Sequence, residues 1–362
     1  MHRILFVVDY YPPHIGGAEQ VYQRVAEHMA AEDWEVNVVT TTDPGREKTE
    51  DHHGVSIHGV CKNRHFFMLL SFFKSLKLAK ECDVIQTATY ASAPGAWLAG
   101  KLREKQTFLI VHEVIGSLWF EQMNPLSAFL HWAFERFILL LPFTRYIAVS
   151  QFTANQLIAR GIKREKIEVI LNGVDNPFFT SENPDPYLRE RLDYTKDDFV
   201  LLFFGRPGIL KGASYLLKGL KKVTSPNAKL VMLMGSEPVQ ARIKLEKRAK
   251  KDSRVRIMDP VKRKSLLAYL HMADAIIAPS LQEGFGLSVA EACAVGKPVI
   301  VSNAGALPEV VSGNVIFVEP GKPKSIADGI QKAAAGEWQE VPKKQFTWEE
   351  AVKKYTELYA KI

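Results

Sequence analysis

Cysteine is scarce: 362 residues hold three, Cys61, Cys82 and Cys293, with no Cys-x-x-Cys pair and no histidine at ligand spacing. That scatter argues against a disulfide framework and against a structural zinc site. Long apolar runs are also missing. The longest, Phe66 to Phe73 with Ser71 inside it and Phe137 to Phe143, fall well short of the roughly 20 residues that span a bilayer. Met1-His2-Arg3-Ile4 leads into an apolar stretch that Asp9 closes after about five residues, which is too short for a signal peptide and reads as a buried first strand. There is no short-period repeat, no low-complexity segment and no Asp-x-Asp triplet. These absences predict a cytoplasmic, soluble chain, or one that at most lies peripherally on the inner face of the cell membrane.

What is present is ordinary for a globular protein. Hydrophobic residues make up 47% and charged residues 24%, which excludes a mostly disordered chain. The length predicts two domains, at roughly 150 residues each. Lys and Arg number 47 against 40 Asp and Glu, a net charge of +7. The excess points to a partner carrying phosphates, and leaves open a nucleic acid, an anionic membrane or a small phosphorylated ligand.

Along the chain one theme repeats: a short β-branched run, a turn, then a helical stretch. Ile4–Val8, Glu35–Thr40, Val55–Val60, Asp83–Gln86, Phe108–Val111, Arg145–Val149 and Ile167–Ile170 read as strands. Helical patterns separate many of them, so a parallel, doubly wound sheet is expected. The polar, proline-rich stretch from Asn176 to Lys196 reads as a linker. Strands then resume at Phe199–Phe204, Lys229–Met234, Val255–Met258, Ala275–Ala278, Pro298–Val301 and Val315–Val318. Two Rossmann-like halves of this kind bind ligands at the carboxyl edges of their sheets, in the cleft between them. From Thr347-Trp348-Glu349-Glu350 a capped amphipathic helix is expected.

Three motifs could carry chemistry. Pro12-Pro13-His14-Ile15-Gly16-Gly17-Ala18-Glu19 follows the first strand and opens a helix; Gly16 and Gly17 would let backbone amides approach an anion, or simply form a tight turn. Gly205-Arg206-Pro207-Gly208-Ile209-Leu210-Lys211-Gly212 follows the first strand of the second half, where Arg206 and Lys211 could converge on one diphosphate or stand solvated at a loop edge. Pro279 to Ala292 is the most informative. After strand Ala275–Ala278, the amides of Gly284, Phe285, Gly286 and Leu287 precede a helix starting near Leu287, a geometry suited to phosphate oxygens. Glu283 and Glu291 flank that turn, and a carboxylate can accept two hydrogen bonds from a vicinal diol. The alternative is a helix-start Glu283 and a solvated Glu291.

These residues resemble the retaining glycosyltransferases of family 4, which have the GT-B fold: two Rossmann-like doubly wound parallel-sheet domains facing across a cleft. The resemblance runs nearly end to end. It rests on Gly16-Gly17-Ala18-Glu19, Ala148-Val149-Ser150, Asn172-Gly173-Val174-Asp175, Gly205-Arg206 with Lys211-Gly212, Glu283-Gly284-Phe285-Gly286-Leu287 with Glu291, and Gly296-Lys297-Pro298-Val299. It implies an acceptor-side domain over residues 1–176, a nucleotide-sugar domain over 177–345, and a helix over 346–362 packing back on the first domain. It further implies that Arg206 and Lys211 bind the donor diphosphate, doing electrostatically what a metal does in other transferases. Glu291 would hold the ribose, Glu283 the transferred sugar, and Gly284 to Leu287 the phosphates. Gly16 and Gly17 would approach the reaction centre from the other domain, and His112 matches the family's cleft histidine.

Two departures stand out. Leu210 precedes the lysine where many members carry an acid, and the glycine-rich turn after the second strand appears as Gly235-Ser236-Glu237-Pro238, whose Glu237 would have to face away from a phosphate. The missing Asp-x-Asp fits a transferase that needs no metal or other cofactor. With Glu283 the one obvious cleft carboxylate, a front-face displacement is favoured over a carboxylate nucleophile.

The implied activity is transfer of a hexose from a UDP- or GDP-sugar to a lipid-linked or saccharide acceptor. A GT-B epimerase, or a nucleotide-sugar-binding protein without transfer, is the alternative. Lys62 to Lys77, and Trp119-Phe120 with Leu126 to Phe143, mix aromatic and basic residues, which suits either a helix on anionic lipid or one packed on the sheet. Arg242 through Lys264 carries eleven cations against three acids but no interleaved aromatics. That reads as a solvated helix face, then as a membrane patch, and not as a nucleic-acid site.

Overall fold

Runs that are apolar throughout need both faces of a sheet covered, and helices supply the cover. The structure, a computed structural model, describes residues 2–14, 16–42, 47–180 and 182–361, and of Arg64 and His65 only the backbone. Ile15 of the first glycine motif therefore lies outside the described residues. The chain divides into two compact units, Met1–Gly173 with Phe346–Ile362, and Val174–Gln345.

The first unit is built on eight strands: β1 Arg3–Val7, β2 Glu35–Thr40, β3 Thr49–His52, β4 Val55–Gly59, β5 Val84–Ala88, β6 Gln106–Val111, β7 Arg145–Ala148 and β8 Ile167–Val169. Their spatial order is β3-β4-β2-β1-β5-β6-β7-β8. All neighbours are parallel except β3 and β4. The central β5 is buried at every position, as a strand covered on both faces must be. Its helices are α1 Gly17–Ala31, α2 Arg64–Leu78, α3 Ser92–Leu102, α4 Trp119–Gln122, α5 Pro125–Leu140 and α6 Gln151–Ile158. Asn124 caps α5, its side chain accepting from Ser127 N, and Ser150 caps α6 by accepting from Thr153 N, both at 3.0 Å.

The second unit begins with two short helices, α7 Pro177–Thr180 and α8 Leu188–Arg191. Seven strands follow: β9 Phe199–Gly205, β10 Ala228–Met234, β11 Val255–Met258, β12 Ala275–Ala278, β13 Val299–Ser302, β14 Gly313–Val318 and β15 Gln339–Val341, ordered β11-β10-β9-β12-β13-β14-β15. Only β15 runs antiparallel to its neighbour. Between them lie α9 Ala213–Leu220, α10 Val239–Ala249, α11 Arg263–Met272, α12 Leu287–Ala294, α13 Leu307–Val310 and α14 Pro323–Ala334, with Leu216, Leu220, Ile326 and Ile330 in one core.

The last helix, α15 Trp348–Ala360, belongs to the first unit. Thr347 caps it, accepting from Glu350 N at 3.2 Å. Trp348, Tyr355 and Tyr359 are buried, and the Tyr359 hydroxyl donates to Gln86 Oε1 while its ring meets Phe108 edge-on at 4.9 Å. Gly173 must be glycine here: a Cβ would stand 2.5 Å from the backbone nitrogen of Trp348.

Three features differ from the expectations. The stretch read as a linker is folded against the second unit, because Arg189 bonds Asp274 at 3.0 Å and Phe178 is buried. Strands β3 and β15 went unread because both are mostly exposed and polar, with no apolar alternation to reveal them. The third difference is in the basic cluster. Its lysines Lys244, Lys247, Lys250 and Lys251 are exposed, but several arginines turn inward as clamps. Arg254, for one, pairs with Asp252 at 2.9 Å and donates to the carbonyls of Leu220 and Val223.

Candidate functional site

In the second unit the chain order reverses between β9 and β12, which are parallel neighbours (Ala275 opposite Leu201). At such a switch point the loops leaving the two carboxyl ends stand side by side. One of them carries Arg206 to Lys211, and the other carries Pro279 to Gly286. They are tied together: Leu281 N donates to the Leu210 carbonyl at 2.7 Å. Gly212 permits the approach, with φ of +72° and no room for a side chain, since a Cβ would lie 1.9 Å from the Pro279 carbonyl oxygen.

The result is a charge pair. Lys211 Nζ lies 2.7 Å and 2.9 Å from the two carboxylate oxygens of Glu283, and the buried Ser280 hydroxyl donates to Glu283 Oε1 at 2.7 Å. The backbone carbonyl of Glu283 accepts from Ala306 N at 2.9 Å, which fixes the residue from the other side. Arg206 is exposed and has no hydrogen bond or ion pair among the described residues. So the two cations expected to act together differ: Lys211 is neutralised internally and Arg206 is free. Gly284, Phe285 and Gly286 are buried, and α12 starts at Leu287. Its N-cap, Gly286, offers no side chain, so no side-chain cap covers the first-turn amides.

Glu291 is not solvated. It is 3% exposed, and its Oε1 lies 2.8 Å from Nη2 of Arg263, whose Nε donates to Asp175 Oδ2 at 2.8 Å. The Arg263 guanidinium also covers the Phe178 ring at 4.9 Å. Burial raises the Glu291 carboxyl pKa, and Arg263 opposes that rise. Burial alone would lower the Arg263 pKa; Glu291 and then Asp175 outweigh it, and the net shift is upward. Arg263 escaped the sequence reading because it sits between Lys262 and Lys264 and looked like part of a solvated face. The one available signal was a run of cations at a helix start, where the dipole disfavours them.

In the first unit Gly16 is the N-cap of α1 and Gly17 its first residue. The Glu19 side chain folds back over Gly16, where an added Cβ would collide with its carboxylate. Glu19 Oε1 lies 3.8 Å from His14 Nε2, and His14 stacks on Tyr10 at 4.3 Å. His112 follows β6 and meets Tyr22 of α1 edge-on at 5.2 Å. Its Nε2 is buried without a hydrogen-bond partner among the described residues, and burial pushes its pKa down to about 4. The ring is neutral at neutral pH. Glu237 is exposed.

Other surfaces are distinct from these loops. A pocket of about 390 Å³ between α8 and α11, lined in part by Leu188, Arg191 and Tyr269, holds none of the motif residues. Glu27, His52 and His53 bring ligand atoms within 4.8 Å of one another, but Glu27 is already held by Gln23 Nε2 at 2.7 Å and Arg24 Nη1 at 3.3 Å. Helix α2 is inverted relative to an ordinary surface helix. Phe67, Ser71 and Ser75 are fully buried, whereas Phe66, Leu69 and Phe73 are 60%, 58% and 58% exposed. It packs against α3 and still turns an apolar face outward. On α5, Leu126, Leu130 and Leu140 are likewise exposed. Among the described residues no helix is long and apolar enough to cross a membrane.

Two doubly wound α/β units, with the motif-bearing loops at a switch point of the second, define a protein of GT-B fold. Residues 15–176 match the family model described as Glycosyltransferase Family 4, and residues 186–355 match that of glycosyl transferases group 1; the chain belongs to this family and is a glycosyltransferase. It is 32% identical over 220 residues to a D-inositol 3-phosphate glycosyltransferase of Xylanimonas cellulosilytica, an alignment covering 55% of this chain and 52% of that protein, so the match spans about half the length of that relative. With one chain of the Homo sapiens phosphatidylinositol N-acetylglucosaminyltransferase it shares 24% identity, over 92% of this chain and 68% of that protein. The Anabaena protein HepE, solved with UDP-glucose, superposes with a TM-score of 0.80 at 20% identity over all of both chains.

Proposed function

We propose that the chain is a retaining hexosyltransferase that uses a nucleotide-diphosphate sugar, UDP- or GDP-linked, and needs no metal. The observation that carries this reading is the Lys211–Glu283 pair at the β9–β12 switch point, beside the uncapped start of α12. A diphosphate placed there would meet Arg206, Lys211 and the amides of Gly284, Phe285, Gly286 and Leu287. Lys211 would then be shared between phosphate and Glu283, whose carboxylate accepts hydrogen bonds from the transferred sugar. Glu291 receives the ribose hydroxyls. UDP-glucose in the Anabaena neighbour supports this class of donor. Gly16, Gly17 and His112 of the first unit are assigned to the acceptor side of the reaction.

The step is a front-face displacement. The bond from the anomeric carbon to the diphosphate oxygen breaks, the acceptor oxygen bonds to the same face, and the acceptor proton passes to the departing diphosphate. Arg206 and Lys211 stabilise the charge that builds on that leaving group. His112, neutral and desolvated, donates or accepts one hydrogen bond without adding charge.

For the acceptor we favour a lipid-linked or saccharide substrate met at the inner face of the cell membrane, through the apolar faces of α2 and α5 with Lys74 and Lys77 alongside. The phosphatidylinositol named for the human relative is in keeping with a lipid acceptor. The test is a donor panel: release of nucleoside diphosphate and transfer of sugar with retention from UDP- and GDP-sugars, with EDTA present. Tight binding of a nucleotide sugar with no transfer to any acceptor and no hydrolysis would overturn the reading in favour of a binding protein.

A further inference from the structure

The start of α11 is built against its own electrostatics. Lys262 is the N-cap, Arg263 and Lys264 follow, and the first turn holds no acid, although a helix N-terminus favours negative charge. Lys262 and Lys264 are exposed and lose little by this. Arg263 turns inward instead, and joins two carboxylates that are both buried: Asp175, just before α7, and Glu291 on α12. Two carboxylates from two separate segments thus meet on one planar guanidinium, one at Nε and one at Nη2.

We propose that Arg263 is the positioning residue for Glu291, fixing its carboxylate to accept the ribose hydroxyls of the donor and so setting the preference for ribonucleotide donors. This rests on the assignment of Glu291 to the ribose. The geometry explains how it would work. Arg263 Nη2 is ion-paired with Glu291 Oε1 at 2.8 Å while its Nε donates to Asp175 Oδ2, so the guanidinium is held between the two carboxylates and sets the side from which Glu291 meets positive charge. The trio carries a net charge of −1, with one cation against two carboxylates, and so keeps a surplus of acceptor oxygens for hydroxyl donors. Helix α11, which carries Arg263, also packs on α8, and α12, which carries Glu291, packs on β12, β13, α7 and α13. Strands β12 and β13 bring Ala275–Ala278 and Val299–Ser302, α7 brings Pro177–Thr180, and Glu309 of α13 acts on Lys344.

The experiment measures binding rather than turnover. UDP, GDP and ADP are titrated calorimetrically, and the tightest is compared with its 2′,3′-dideoxy form on wild type, Arg263→Met, Arg263→Lys and Glu291→Gln. Wild type is expected to prefer the ribonucleotide by at least about tenfold, because a charged acceptor is left unpaired by the dideoxy form. Arg263→Met should lower ribonucleotide affinity while leaving the dideoxy affinity unchanged, so that the ratio collapses. Arg263→Lys should restore part of it, and kcat at saturating donor should stay within about threefold of wild type. A full ratio in Arg263→Met, with the ratio lost in Glu291→Gln, overturns the role of Arg263 alone. A full ratio in Glu291→Gln overturns the assignment of the ribose to Glu291. If Arg263→Met melts early, Arg263→Lys decides: a ratio and a donor KM equal to wild type with Asp175→Asn also unchanged overturns the proposal.

Discussion

Lys211 Nζ stands 2.7 Å and 2.9 Å from the two carboxylate oxygens of Glu283, 72 residues away in sequence, because β9 and β12 leave the sheet side by side. The Lys211 ammonium is thereby held in place by the protein itself, and on the proposed reading it is the group that meets the donor diphosphate. Lys211→Met should cut kcat by about 100-fold or more, the effect of removing one prepositioned donor from a developing oxyanion. Donor KM should move much less. Initial rates across donor concentrations check this; a rise in KM with kcat unchanged would assign Lys211 to ground-state binding.

Arg206 makes the complementary case. It is exposed and without a partner among the described residues, so the fold does not depend on it. Arg206→Ala should lower transfer by about 100-fold or more while leaving the melting temperature unchanged. Near wild-type transfer by this variant would remove Arg206 from the mechanism.

The His112 ring gives a pH signature. Its pKa is about 4 in the folded chain, against an ordinary value of 6.5. A histidine depressed by folding adds no penalty above pH 6.5, and below it the unfolded chain takes up the proton first. Stability therefore falls as pH drops from 6.5 toward 4, by about 3 kcal/mol at 1.36 kcal/mol per unit. Burial likewise pushes His58 down to about 4, and it adds to the same window. His112→Asn should flatten the slope by the His112 share; urea midpoints at neutral and mildly acid pH measure it. An unchanged slope would show that His112 is not buried in solution.

The outward apolar face of α2 should be dispensable for folding and needed for lipid contact. Leu69→Glu with Phe73→Glu is expected to leave the urea midpoint within about 0.5 kcal/mol of wild type, as for surface changes generally. Flotation with phosphatidylglycerol vesicles should be lost in the double variant. Wild-type chain that fails to float, or a variant that floats as well as wild type, sinks the membrane reading.

Tyr359 tests α15. Tyr359→Phe removes the hydroxyl that meets the buried Gln86 side chain and leaves that amide oxygen unpaired, at a cost of about 1–3 kcal/mol. Urea unfolding followed at Trp348 would show it, with no change in donor affinity.

Much of the fold was readable without coordinates. The spans Glu35–Thr40, Val55–Val60 and Ala275–Ala278 are β-branched or apolar and bounded by turns, and their alternation with helical stretches already implies parallel sheets. The polar edge strands β3 and β15 carried no such pattern. The glycines of the candidate site were legible because close backbone approach restricts residue type, as at Gly212, and Arg206, Lys211 and Glu283 fall in the loops that directly follow strands.

The residue types and their order along the chain were thus determined by sequence alone, along with the alternation that makes a doubly wound sheet. Pairing was decided by tertiary structure. Whether Lys211 faces solvent or Glu283, whether Glu291 is solvated or buried against Arg263, and which of eleven cations turns inward all depend on strand order at a switch point and on which loops it brings together. Electrostatic energy depends on distance and burial, and neither is a property of a residue's place in the chain.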